Sequence, residues 1–151
     1  MEIERKFLVN KIPDNLTSYP VHEIIQGYLN IKPVVRVRKD NDNYYLTYKG
    51  GGKMAREEYN LPLGKEGFDN LIAKCDGNII HKFRYVIPSQ TEGLYVELDI
   101  FKGAFEGLVI AEVEFETMEQ AKAYTKEDYF GEDVTMDGRY HNSYLSQKNV
   151  L

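Results

Sequence analysis

Apolar and polar residues alternate with a period of two along most of the chain. This is the signature of strands whose side chains point to opposite faces. It predicts strands over about residues 2–9, 22–31, 34–40, 43–49, 55–61, 80–87, 94–101 and 108–116. Turn signals separate them: Asp40-Asn41-Asp42-Asn43, Gly50-Gly51-Gly52-Lys53, the run Ser89 to Gly93, and Lys102-Gly103. Two segments change to helical spacing. Over 65–75, Phe68, Leu71, Ile72 and Cys75 form one apolar stripe, and Gly77 follows as a stop. A second helix starts at Thr117, with Gln120 at capping-box spacing and Ala121 and Tyr124 toward the core. A shorter helix is expected near 139–147. Hairpin-linked strands with few crossovers predict a mainly β (α+β) fold. The expected form is a closed eight-stranded antiparallel barrel with a few covering helices, spanning residues 1–151 as one domain.

The polar faces of these strands are charged. Glu2, Glu4 and Lys6 share one face, and so do Arg36 and Arg38. Tyr45, Thr47 and Lys49 follow, then Arg56 and Glu58, Lys82 and Arg84, Glu97 and Asp99, and finally Glu112, Glu114 and Glu116. A one-sided sheet with its polar face in water also alternates in this way. Three features argue against that plain reading. The faces use Arg, Lys and carboxylates almost exclusively. Like charges recur at i and i+2, roughly 6.5–7 Å apart, a spacing that is unfavourable without a counter-ion. The signs are also sorted by strand, with acids on the first, seventh and eighth and cations on the third and sixth.

Closed with these faces inward, the strands make an ionic tunnel, which must hold water or ligands because unpaired buried charge is too costly. The acidic side suits a hard divalent cation. The Arg and Lys side suits a polyanion, since guanidinium forks match phosphate oxygens. A metal with several phosphate-binding cations points to oligophosphate chemistry.

Composition narrows the setting. With 42 % hydrophobic residues, 12 Tyr and 7 Phe, the chain has enough material for a core. A net charge of −5 argues against a nucleic-acid partner. Cys75 is the only cysteine, so no internal disulfide can form and a cytoplasmic location is expected. No stretch approaches the ~20 apolar residues of a membrane span, and the charged start Met1-Glu2-Ile3-Glu4 is not a signal peptide. No apolar loop patch assigns an oligomeric state.

Glu2-Ile3-Glu4-Arg5-Lys6 resembles the E-x-E-x-K strand of the CYTH superfamily, the triphosphate tunnel metalloenzymes. The resemblance continues through Arg36-Val37-Arg38, Leu46-Thr47-Tyr48-Lys49, Arg56-Glu57-Glu58, Lys82-Phe83-Arg84, Val96-Glu97-Leu98-Asp99, the Ala111 to Glu116 strand and Asp137-Gly138-Arg139-Tyr140-His141-Asn142. It implies an eight-stranded tunnel hydrolysing triphosphate with Mg²⁺ or Mn²⁺. By the resemblance, Glu2 and Glu4 hold the metal with Glu112, Glu114 and Glu116, and which of those three are direct ligands is left open. Lys6, Arg36, Arg38, Lys49, Lys82 and Arg84 would grip phosphate oxygens, with Arg56 and Arg139 as further members. Lys6 would act in catalysis, and the metal or a carboxylate such as Glu97, Glu114 or Glu116 is expected to orient or activate the water. The substrate expected is inorganic tripolyphosphate, with nucleoside triphosphates weaker. A class IV adenylyl cyclase, a thiamine triphosphatase and a non-catalytic polyphosphate-binding module are the alternatives.

Other features carry less. Gly50-Gly51-Gly52-Lys53 lacks the spacing of a phosphate-binding loop, because Met54 follows Lys53. His22, His81 and His141 show no ligand spacing. Cys75 is expected as a packed thiol. By parity, Tyr28, Tyr45 and Tyr95 share the charged faces.

Overall fold

The computed structural model describes residues 1–147. All eight expected strands are present. They are β1 (Glu2–Val9), β2 (Val21–Ile31), β3 (Val34–Asp40), β4 (Asn43–Lys49), β5 (Ala55–Arg56) with β6 (Glu58–Leu63), β7 (Asp76–Pro88), β8 (Tyr95–Lys102) and β9 (Val109–Phe115). The fifth expected strand is thus split at Glu57. An additional strand, β10 (Phe130–Asp133), had not been expected. Every pairing is antiparallel, in the order β10-β1-β9-β8-β7-β2-β3-β4-β6.

The split closes the tunnel. β6 stays on β4, while β5 crosses to β1, pairing Glu2 with Arg56 and Ile3 with Ala55. The Glu4 N–H also donates to the Met54 carbonyl. The result is a nearly closed antiparallel barrel.

Because the charged faces point inward, much of the apolar packing lies outside the barrel. Ile3, Phe7, Val96, Leu98, Ala111, Val113 and Phe115 pack beneath α2 (Met118–Ala123), with Ala121, Tyr124 and Phe130. Arg5 secures this layer: it donates to the Ala121 and Tyr124 carbonyls and pairs with Asp133. Thr117 caps α2 by accepting from the Gln120 N–H, as its spacing predicts, and Gln120 accepts from the Glu116 N–H in return.

On the other side, α1 (Lys65–Ile72) lies over β2, β3 and β4. Gly27 permits this approach, since a Cβ there would sit 2.9 Å from both Cys75 Sγ and Ile72 Cδ1. A second apolar cluster, Tyr28, Val34, Ile80, Phe101, Phe105, Ile110 and Leu145, includes a residue of α3 (Asn142–Gln147). The expected 139–147 helix is therefore a 3₁₀ turn at Gly138–Tyr140 followed by α3.

Candidate active site

The barrel encloses a cavity of about 380 Å³. Every cation assigned to the inward faces lines it: Lys6, Arg36, Arg38, Lys49, Arg56, Lys82 and Arg84. Glu2, Glu4, Glu58, Glu97, Glu112 and Glu114 line it as well. Strand alternation puts them there, and register decides which of them meet.

Some meet in matched pairs. Lys6 and Glu112 are opposite on β1 and β9, with Lys6 Nζ 3.3 Å from Oε1. Arg84 faces Asp99 and binds it through Nε and Nη2 at 2.7 and 2.9 Å, while also reaching Glu97 and Glu112 at 3.2 Å. Lys82 Nζ lies 2.8 Å from Asp99. Lys49 bridges Glu2 at 3.0 Å and Glu58 at 3.3 Å. These pairings set the titration of the buried acids. Burial opposes ionisation of Asp99 and Glu112, but Arg84 with Lys82, and Lys6 with Arg84, hold them below the ordinary range. Burial together with Arg84 brings Lys82 down to about 7, even though Asp99 favours its charge.

Other acids form no ion pair among the described residues. Glu4 stands directly across from Glu114, and neither makes an ion pair among the described residues. Like charges directly opposite are destabilising. Burial first, then Glu112 and Glu2, pushes Glu4 up to about 8. Glu114 is raised by burial and by Glu2 and Glu97. Among the described residues no three acidic, His or Cys side chains converge tightly enough to form a ready-made metal cage. The donor set is nonetheless all carboxylate, suited to a hard cation that would relieve the crowding of acids around Glu4 and Glu114.

Arg36, Arg38 and Arg56 are the converse case. Arg36 donates to Thr47 Oγ1, Arg38 to Gln26 Oε1 and Arg56 to the Gly50 carbonyl, and none pairs with a carboxylate among the described residues. Arg36 is 6 % exposed, and its Nε is buried with no hydrogen-bond partner. A buried guanidinium N–H without an acceptor is costly, and the three guanidinium groups line a cavity where an anion would supply the missing opposite charge.

The family profile for the CYTH domain matches residues 1–132 of this chain. The chain belongs to the CYTH family. Two curated relatives are similar over nearly their whole length. An inorganic triphosphatase of Nitrosomonas europaea is 36 % identical over 149 residues, covering 96 % of each chain. One from Acetivibrio thermocellus is 39 % identical over 150 residues, covering 95 % of this chain and 92 % of that one. A solved inorganic triphosphatase superposes with a TM-score of 0.74 at 33 % identity, covering 99 % and 96 % of the two chains. A Hippeastrum protein described as a putative adenylyl cyclase with a dominant triphosphatase activity shares the fold at a TM-score of 0.61 and 18 % identity, covering 81 % and 83 %. As a family of triphosphate tunnel metalloenzymes, CYTH implies a divalent metal requirement.

Two residues expected in the tunnel of this CYTH protein lie outside it. Glu116 is exposed, because β9 ends at Phe115 and the chain turns into the α2 cap, where the Glu116 N–H is held by Gln120. Its side chain borders a neighbouring cleft with Tyr95 and Gln120. Arg139 is also exposed; Asp137 holds it through Nε and Nη2, and it borders a cleft with Phe105 and Tyr144. Asp99 faces inward but is fully buried behind Lys82 and Arg84.

The cavity has further lining residues beside the charged rows. Tyr28 and Tyr45 line it, as their parity allowed, whereas Tyr95 is 57 % exposed in the outer cleft. Asn60 and Asp40 come from β6 and β3, and Asp40 is held by His22 Nδ1 at 2.6 Å. His81 turns outward to Glu23. His141, Asn142 and Ser143 enter from the C-terminal segment. Lys6 Nζ donates to the Tyr140 carbonyl and Lys82 Nζ to Asn142 Oδ1, so the signal was polar residues beside a helix start.

Proposed function

We propose that this protein is a metal-dependent inorganic triphosphatase, hydrolysing tripolyphosphate in preference to nucleoside triphosphates. One observation carries the reading: a single cavity holds carboxylates in no ion pair, Glu4 and Glu114, and guanidinium groups in no ion pair, Arg36, Arg38 and Arg56, among the described residues. A divalent ion bound to a triphosphate satisfies both. The curated relatives named inorganic triphosphatase support the same reading.

Arg36, Arg38 and Arg56 bind phosphate oxygens by charge-assisted hydrogen bonds, and Lys6, Lys49, Lys82 and Arg84 add positive charge around them. Lys6 stays beside the reacting phosphate because Glu112 and the Tyr140 carbonyl hold its ammonium. Glu112 is occupied by Lys6 and Arg84, so its role is to place those cations. Glu2, Glu4 and Glu114 are the residues that would hold Mg²⁺ or Mn²⁺, which supplies charge neutralisation at the phosphoryl oxygens. Glu97 uses only Oε2 on Arg84, which leaves Oε1 to hold the attacking water. The pairings hold these groups in position before substrate arrives, so little reorganisation is needed at the phosphoryl transfer.

Side-by-side turnover of tripolyphosphate, ATP and thiamine triphosphate with Mg²⁺ tests the assignment. Tripolyphosphate is expected to be the best substrate. Cyclic AMP as the main product from ATP would make the protein a cyclase, and tight binding without turnover would make it a binding module.

A further inference from the structure

His141 reaches the cavity from the C-terminal segment, not from the barrel wall. It follows the Gly138–Tyr140 turn, with its backbone N–H bonded to the Gly138 carbonyl. Lys6, whose ammonium is bonded to the carbonyl of the preceding Tyr140, and Arg56 line the same cavity as its ring. A neutral imidazole carries one N–H and one lone pair. Both nitrogens are donors only after the ring gains a proton.

The charges facing the ring decide when that happens. Lys6 of β1 and Arg56 of β5 disfavour its cationic form, and Glu112 of β9 favours it more weakly. Burial and the two cations hold the pKa down to about 4, so the ring is neutral at physiological pH when the cavity contains only water. Lys6 cannot swing away freely, because Glu112 and the Tyr140 carbonyl hold its ammonium. A triphosphate brings several negative charges into this space and reverses the balance around the ring.

We propose that His141 is a substrate-contacting residue that takes up a proton from solvent as triphosphate enters, changing from a neutral imidazole among the cavity's cations into a cationic donor to a phosphate oxygen. The inference rests on reading the cavity as an oligophosphate site. It adds a cation only when the anion is present, so the free cavity avoids one further like charge beside Lys6 and Arg56. Binding then carries one more proton than the wall residues require. Linkage gives the size of the effect: above about pH 5, wild-type affinity falls up to tenfold more per pH unit than that of a variant lacking the group.

The test uses the full chain and tripolyphosphate in chelator at neutral pH. Ring resonances of wild-type His141 are followed by NMR, and proton uptake is measured by calorimetry in two buffers of different ionisation enthalpy. On saturation the ring should move from neutral to imidazolium. Wild type should take up about one proton more than His141→Gln or His141→Lys. His141→Lys, already charged, should bind with the shallower pH dependence. A ring that stays neutral at saturation, or equal proton uptake in wild type and His141→Gln, overturns the proposal. The wild-type resonances give this answer even if a variant fails to fold. If tripolyphosphate neither binds nor is hydrolysed when Mg²⁺ is supplied, the oligophosphate reading itself has failed.

Discussion

Replacing Glu4 with Gln removes a cavity carboxylate that makes no ion pair among the described residues and is crowded by Glu112 and Glu2. The Glu4 carboxyl titrates near 8 instead of 4.5, because it is buried and stands near Glu112 and Glu2. A folded-state value above the unfolded one means that the fold favours the protonated form. That contribution is complete below about pH 4.5 and is lost as pH rises through 8. At about 1.4 kcal/mol per pH unit, ionised Glu4 destabilises the metal-free protein by up to ~5 kcal/mol at pH 9. Glu4→Gln keeps the size of the side chain and removes the charge. In chelator the variant should match wild type near pH 5 and be more stable by a few kcal/mol at pH 9. Excess Mg²⁺ or Mn²⁺ should raise the melting temperature of wild type far more than that of the variant, while the variant loses tripolyphosphatase activity. Thermal unfolding across pH 5–9, with and without metal, provides the assay. Parallel pH profiles for the two proteins in chelator would refute the reasoning.

Arg36→Ala should lower kcat/KM for tripolyphosphate about ten- to a hundredfold, the equivalent of about 1.5–3 kcal/mol for a hydrogen bond to a charged group; urea titration should show little loss of stability, since Arg36 pairs with no carboxylate. Asp99→Asn should lower stability by about 3–5 kcal/mol in the same titration, because it leaves Lys82 and Arg84 buried with only part of their pairing. Glu116→Gln and Arg139→Ala should each leave kcat/KM within about twofold of wild type, which steady-state phosphate release will show, because both side chains lie outside the cavity. A tenfold loss in either would return that residue to the site.

The inward faces were legible because strand parity is strict: once Glu2 points in, Glu4 and Lys6 must follow. Sign sorting then revealed a cavity before any pairing was known. Register was not legible. Nothing local says that Glu4 meets Glu114 while Lys6 meets Glu112, although that difference separates a free carboxylate from a paired one. Parity also fails beyond a strand's end, which is why Glu116 leaves the row after Phe115. The break at Glu57 and the four-residue β10 depend on how the sheet edges meet β1, a long-range outcome with no periodic trace. His141, Asn142 and Ser143 arrive from a turn and a helix start, where alternation has no meaning, so polar residues beside an expected helix start were their one local trace.

The account turns on phosphate release from tripolyphosphate by the purified full chain, measured with Mg²⁺ or Mn²⁺ and again in chelator. It predicts release that requires the metal and exceeds release from ATP at equal concentration. A folded protein that releases no phosphate from tripolyphosphate with either metal would contradict it.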